Sequence, residues 1–215
     1  MPELTLLQKI VVWAIPVIFA ITVHEVAHGW VANYLGDSTA KNKGRLTLNP
    51  IKHVDPVGTV VLPLILLYLG GFVFGWAKPV PVTWQNLGQP RRDMALVAMA
   101  GPFANLLMML LWAVLAKLLL MSNPSSEIAG LLLIMCSAGI LINIVLMVLN
   151  LFPVLPLDGG RVMSSLLPMR LAHFYARLEP FGLILIVVLL ATGVLGKILI
   201  PIVSLIESSV YLLVN

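Results

Sequence analysis

The residues with the most chemical content stand inside an apolar run, in the string His24-Glu25-Val26-Ala27-His28. Helix positions four apart share one face, so both imidazoles can point at one ion. Glu25, about 100° round the same helix, can reach a water molecule beside that ion. This is the H-E-x-x-H arrangement of zinc hydrolases, two histidine ligands and a glutamate base. The string is short enough to arise by chance in a soluble helix. Inside an apolar span it is costly, because an ionisable side chain at the bilayer centre loses about 2.5–3.5 kcal/mol on insertion scales. Histidines buried for hydrogen bonding alone are the plainer alternative.

A catalytic zinc takes three protein ligands and keeps one position for water, so a third donor must come from elsewhere. The candidates are His53, His173, Cys136, Asp37, Asp55, Asp93, Glu127, Glu179, Glu207 and Asp158, most of them in connecting segments where a solvated side chain is expected. Asp158 differs. It lies in NLFPVLPLDGGR, after a long apolar run, where Pro153 and Pro156 end a helix and Gly159-Gly160 allow a tight turn. Such a backbone can turn a carboxylate back toward the bilayer interior. Two neutral imidazoles, one aspartate and an ionised Glu25 would bring Zn²⁺ and its surroundings to formal neutrality, which limits the desolvation penalty of a buried ion.

With zinc to polarise a scissile carbonyl and acidify a water molecule, Glu25 would take the proton of the attacking water and return it to the leaving nitrogen. Asn105, in GPFAN, and Asn150 are amides in apolar surroundings that can bind a peptide strand or donate to a developing oxyanion. For Asn105, an amide that ties two helices together is an equally good reading. Asn143, Ser137 and Ser164 are read as structural. No G-x-S-x-G elbow is present, and no pair of intramembrane aspartates is placed to share a proton. Two rivals of other classes remain in view: a membrane metal-ion transporter using the same ligands, and a catalytically inactive scaffold that binds membrane proteins. The first gives Glu25 no necessary role, and the second is disfavoured because all four proposed catalytic positions are present.

The elements that must position these residues follow from composition. Of 215 residues 60% are hydrophobic and 10% charged, against about 45–50% and about 25% in soluble domains, so the solvent is a bilayer. Four runs reach the length of about 20 residues that a spanning helix needs: 6–34, 94–121, 127–152 and 173–195. Two more, 57–75 with Pro63 and Gly70-Gly71, and 197–214 with Pro201 and Glu207, read as kinked or partial spans. The alternation RLTL (45–48) and the Pro-rich stretch 76–93 predict short extended or hairpin segments. The expected fold is an all-α polytopic bundle of five to six transmembrane or re-entrant helices with short membrane-associated β segments. It forms one domain over 1–215, with a catalytic core at 6–165 and C-terminal helices at 173–214. The N-terminal run lacks a basic n-region and is read as a retained span. Cys136 is a packing residue. The formal charge of +4 is spread over short connections, which suits a positive-inside orientation and offers no nucleic-acid surface.

Three motifs in order, HEVAHGW, AGPFANLL and NLFPVLPLDGGR, together resemble the site-2 protease family of intramembrane zinc metalloproteases over residues 20–165. The segments GRLTLNPIKHVDP and GWAKPVPV are similar to those of a compact bacterial subgroup without a PDZ or nucleotide-sensing domain. The resemblance implies that His24, His28 and Asp158 bind zinc, that Glu25 is the general base and that Asn150 helps bind the substrate backbone or stabilise the reacting carbonyl. It also implies transmembrane protein substrates and a bacterial plasma membrane. For the ligands to meet, the ends of the spans carrying them must face one side, so 57–75 is expected to enter and leave on one face. The basic connections then put the site toward the cytoplasm. A substrate helix must open to be cut, and Arg45 to Leu48 or Lys78 to Val82 are expected to hold the opened strand by β-addition.

Overall fold

A computed structural model describes residues 4–61, 65, 68, 75–122 and 126–214 of the chain. Helix α1 (Leu6–Tyr34) opens on a capping box in which the Thr5 hydroxyl accepts from Gln8 N–H and the Gln8 side chain accepts from Thr5 N–H at 2.8 Å. Gly36, at φ +112°, turns the chain out of α1 in a conformation that suits glycine. The short α2 (Thr39–Asn42) follows, then a 3₁₀ turn (Pro50–His53), a π-helical turn (Pro56–Val61) and a second 3₁₀ turn (Trp84–Asn86). Two long helices come next, α3 (Pro90–Met121) and α4 (Glu127–Asn150). The chain ends in α5 (Asp158–Leu166), α6 (Met169–Ala176), α7 (Glu179–Ala191) and α8 (Val194–Val214).

Helices α1, α3 and α4 pack against one another, α5 lies on α3, and α8 closes the far side of α3 and α4. The α3–α4 seam is tight because position 139 is glycine: a Cβ there would come within 2.4 Å of the Trp112 ring. Met109, Ala113, Cys136, Ile140, Ile144 and Val210 fill the core between α3, α4 and α8. Large apolar side chains also point outward, among them Ile10 and Phe19 of α1, Leu111 and Leu118 of α3, and Ile200 of α8. A water-soluble chain does not present such faces on every long helix; lipid is their solvent. Four helices, α1, α3, α4 and α8, are long and apolar enough to cross a membrane. This is a multi-pass membrane protein.

Three expectations change. The run 173–195 is not one straight helix: α6 and α7 meet at 63° across Arg177-Leu178. Thirteen residues of α7 rise only about 20 Å, less than the ~30 Å hydrocarbon core. Conversely, 197–214 belongs to the unbroken 21-residue α8 despite Pro201. Finally, no β-strand forms among the described residues. Residues 45–48 bend at Thr47, and residues 75–83 run without a ladder, tied by single bonds such as Lys78 N–H to His53 O at 2.9 Å and Trp76 N–H to Gly58 O at 3.1 Å. Pro79 and Pro81 remove alternate N–H donors, which a ladder cannot accommodate away from an edge. Within 57–75, residues 57–61 form the π-helical turn, while Pro63, Gly70 and Gly71 lie outside the described residues.

Candidate active site and metal centre

The i, i+4 spacing in α1 puts both imidazoles on the face that looks into the bundle, with His24 and His28 buried. Asp158, the first residue of α5, reaches the same point. Its arrival depends on glycine. A Cβ at Gly159 would lie 2.2 Å from the Leu151 carbonyl oxygen, and one at Gly160 2.4 Å from Leu155 N, so both positions must be bare for α5 to start there. Gly182 of α7 supports the same loop from behind, its backbone pressed onto the Leu155 carbonyl.

Three atoms converge. His24 Nε2 and His28 Nε2 stand 3.0 Å apart, and Asp158 Oδ2 lies 3.2 Å from the first and 3.3 Å from the second. On their other sides, His24 Nδ1 bonds Asn105 Oδ1 at 2.6 Å and His28 Nδ1 bonds the Val97 carbonyl at 2.7 Å. Both partners are acceptors, so each ring carries its proton on Nδ1 and turns a bare lone pair inward. The buried Asp158 Oδ2 receives no hydrogen bond. Three lone pairs facing one another call for a cation between them. Ligands bound at 2.0–2.2 Å on a tetrahedral ion stand about 3.3 Å apart, which the three edges match. Gly101 of α3 keeps the space clear: a Cβ there would sit 2.4 Å from His28 Nε2 and 2.6 Å from His24 Nε2. Among the described residues this is the one group of three or more such donors placed to hold a metal ion.

Glu25 and Asp158 line a cavity of about 610 Å³ whose walls are largely apolar, with Ile21, Trp76, Val80, Met94 and Leu149 among them. Glu25 Oε2 accepts the Val80 N–H at 2.8 Å, so the extended segment runs beside the carboxylate. Arg45 pins that segment from its far side by donating to Lys78 O at 2.8 Å. Asn150 also lines the cavity, and its amide donates to Leu146 O at 2.9 Å within its own helix.

Asn105, read above as a peptide or oxyanion donor, is placed otherwise. It is 0% exposed and lies behind the His24 ring, away from the cavity lining. Its Nδ2 donates to Asn143 Oδ1 at 2.9 Å, and Asn143 Nδ2 donates in turn to Gly139 O at 2.8 Å. Asn105 thus joins α1, α3 and α4 and stands against the His24 ring rather than in the cavity lining. The sequence carried a signal for it: Val97, Gly101 and Asn105 recur every four residues and share one face of α3.

The other candidate ligands are engaged elsewhere. His53 bonds Thr47 O at 2.9 Å and His173 bonds Met169 O at 2.9 Å in its own helix. Asp55 Oδ1 accepts Val57 N–H and Gly58 N–H, Asp93 Oδ2 accepts Gln89 N–H, and Cys136 sits in the core. Glu127 opens α4, Glu179 faces Arg161 at 3.8 Å, and Glu207 lies along α8. Asp37 is buried beyond the end of α1 and accepts from Thr39 N–H at 3.0 Å, Thr83 N–H at 2.6 Å, Asn86 Nδ2 at 2.9 Å and the Thr39 hydroxyl. Burial raises its carboxyl, but these donors prevail and hold it below the usual carboxylate range.

Comparison with known proteins points the same way. The model of Peptidase family M50 matches residues 121–193, which include Asn150 and Asp158. The chain is 40% identical over 195 residues to "Putative zinc metalloprotease YwhC" of Bacillus subtilis (strain 168), covering 87% of this chain and 83% of that protein. It is 30% identical over 183 residues to "Putative zinc metalloprotease Rip2" of Mycolicibacterium smegmatis, covering 84% and 66%. Rip2 of Mycobacterium tuberculosis (strain H37Rv) is 29% identical over 174 residues, covering 79% and 62%. No solved structure matches the chain.

Proposed function

The chain belongs to peptidase family M50, the site-2 proteases, and from that membership and the geometry of the site we propose that it is an intramembrane zinc metalloendopeptidase that hydrolyses peptide bonds in the transmembrane segments of other proteins. In this reading His24, His28 and Asp158 hold the zinc and Glu25 is the general base. One observation carries it: three lone-pair atoms meet 3.0–3.3 Å apart while both histidine Nδ1 atoms are bound to acceptors.

When bound, the ion would supply Lewis-acid polarisation of the scissile carbonyl and would acidify a water molecule. The chain's own residues do the rest. Glu25 holds one oxygen on the Val80 N–H, which fixes its carboxylate in the cavity, and its other oxygen is the one available to take a proton from water and pass it to the departing nitrogen. Asn150, on the cavity wall, carries a second N–H beyond the one given to Leu146, and we assign that hydrogen to the substrate backbone. The apolar walls exclude bulk water and accept the side chains of a locally opened helix. The extended segment around Lys78 to Val82 lies where that strand must pass. All of this is the work of one domain spanning 1–215.

The basic residues Lys41, Lys43, Arg45, Lys52 and Lys78 lie between α1 and α3, Arg91 and Arg92 in the first turn of α3, and Arg161 and Arg170 in the short helices α5 and α6 that follow the end of α4. The positive-inside tendency therefore directs the active site toward the cytoplasm of a bacterial plasma membrane, with the N-terminus outside. A metal-ion transporter would leave Glu25 without a necessary role, and an inactive scaffold would have no use for the four residues His24, Glu25, His28 and Asp158 together. The deciding experiment incubates purified protein with single-span substrates, with and without chelator. Cleavage should require metal, and Glu25→Gln should keep about one zinc per chain while activity falls ~10²-fold or more. Metal-independent cleavage, or full activity of Glu25→Gln, would overturn the reading.

A further inference from the structure

Asn143 of α4 is a polar residue for which neither the ligand set nor the general base has a use, yet it is 0% exposed. Its two functional ends are both spoken for. Nδ2 donates to Gly139 O at 2.8 Å, one turn back in its own helix, and Oδ1 accepts from Asn105 Nδ2 at 2.9 Å. That second bond decides how the Asn105 amide is turned. With Nδ2 drawn toward Asn143 Oδ1, and toward Ala20 O at 3.4 Å, Oδ1 is left facing His24 Nδ1 at 2.6 Å. A carbonyl oxygen in that place selects the ring tautomer protonated on Nδ1, and so aims a bare Nε2 at the point where His28 Nε2 and Asp158 Oδ2 converge.

We propose that Asn143 and Asn105 form a polar relay across α4, α3 and α1 that sets the tautomer and orientation of His24 as a metal ligand, with Asn105 as the direct positioning residue and Asn143 acting through it. A lone asparagine would not suffice, because an amide reversed end for end presents N–H to Nδ1, favours the opposite tautomer and places a proton where the ion belongs. Anchoring on Gly139 O, a helix carbonyl that cannot reverse, gives the relay its polarity. His28 needs no such device, since its Nδ1 meets the Val97 carbonyl directly. The difference explains why two buried amides are maintained on one side of the site and none on the other.

The inference rests on the zinc reading above, and zinc and cobalt binding to the full-length protein in detergent separate the two. If the wild type binds neither ion, that reading fails. If it binds them, the variants judge the relay alone. Asn105→Ala should weaken zinc binding 10–100-fold, the range found for partners of ligating histidines, and alter the visible spectrum of the cobalt form. Asn105→Asp keeps an acceptor on His24 Nδ1 but sets its second carboxylate oxygen against the anchored Asn143 Oδ1, so it should lose less zinc affinity than Asn105→Ala without reaching that of the wild type. Asn143→Ala should weaken binding about 3–10-fold, and the double Asn105→Ala, Asn143→Ala variant no more than Asn105→Ala alone. Should Asn105→Ala fail to fold, Asn105→Asp and Asn143→Ala carry the test. Wild-type affinity and an unchanged cobalt spectrum in Asn105→Ala or, where that variant does not fold, in Asn143→Ala, or losses that add in full, would show that the amides only tie helices together.

Discussion

Two buried aspartates, Asp37 and Asp158, meet opposite surroundings. Asp37, 0% exposed, is ringed by donors from Thr39, Thr83 and Asn86. Asp158, 8% exposed, turns Oδ2 toward two imidazole nitrogens whose protons are on the far side of their rings. A buried carboxylate must be compensated, and the two solutions differ in kind. At Asp37 compensation is complete within the chain, so the residue serves the fold, fastening the Trp84–Asn86 turn to the end of α1. At Asp158 it is incomplete within the chain, and the carboxylate oxygen is left placed to take a cation. Burial alone does not mark a functional carboxylate; the identity of the atoms facing it does.

The largest effect that would test this contrast is on metal binding. Asp158→Asn keeps the shape and removes the charge, and it should abolish stoichiometric zinc and, with it, peptidase activity. In the wild type, zinc at 100 times its dissociation constant should add about 2.7 kcal/mol of stability, seen as a rise in Tm; in Asp158→Asn that rise should vanish. Asp37→Asn should behave in the reverse manner, losing about 1–3 kcal/mol with and without zinc alike and keeping the full zinc-induced rise. If Asp37→Asn lost the zinc response as well, the two carboxylates would not be separable as argued.

Much of this site is legible before any coordinates. The four-residue spacing of His24 and His28 needs only that the run be helical, and Pro153, Pro156 and the glycine pair mark a turn that can bring Asp158 back. Asn105 is harder, because a sequence gives the spacing of Val97, Gly101 and Asn105 but not the helix that their shared face meets. The bend between α6 and α7 had a signal that hydropathy outweighs: Arg177, Glu179 and Pro180 interrupt the apolar run, and proline belongs in the first turn of a new helix. The short alternation at 45–48 cannot be told from an extended loop by period alone. In the stretch 76–93, Pro79 and Pro81 were the better guide, since each removes a donor that a ladder needs.

A smaller effect concerns acid. The folded state holds the Asp37 carboxyl below its ordinary value of about 3.9, so the stability this group contributes is present in full above that value. It is lost as pH falls through the lower folded value, because the unfolded chain then binds the proton more readily. The stability advantage of the wild type over Asp37→Asn should therefore be constant from neutrality down to about pH 5 and shrink progressively below pH 4. Urea titrations of both proteins between pH 6 and pH 3 read it directly. A gap that widens on acidification would mean that the donors around Asp37 do not favour its ionised form.

The smallest effect tests the point where the two regions touch. Asp37 fastens Thr83 and Asn86, Arg45 fastens Lys78, and between these anchors Val80 donates its N–H to Glu25 Oε2 at 2.8 Å. Val80→Pro deletes that donor in a stretch whose neighbours at 79 and 81 are already proline, so the backbone should bear the change. A hydrogen bond to a charged group contributes about 1.5–3 kcal/mol, but here the carboxylate borders a cavity where water can replace the lost donor, and the lower part of the range applies. A fall of about tenfold in kcat follows, with zinc stoichiometry and affinity unchanged because no ligand is touched. Asp37→Asn, which leaves Val80 in place but loosens its anchorage, should reduce kcat less and raise the exchange of the amide hydrogens at 76–86. Loss of zinc in Val80→Pro would place the segment within the metal site, whereas undiminished kcat would free Glu25 from any dependence on it.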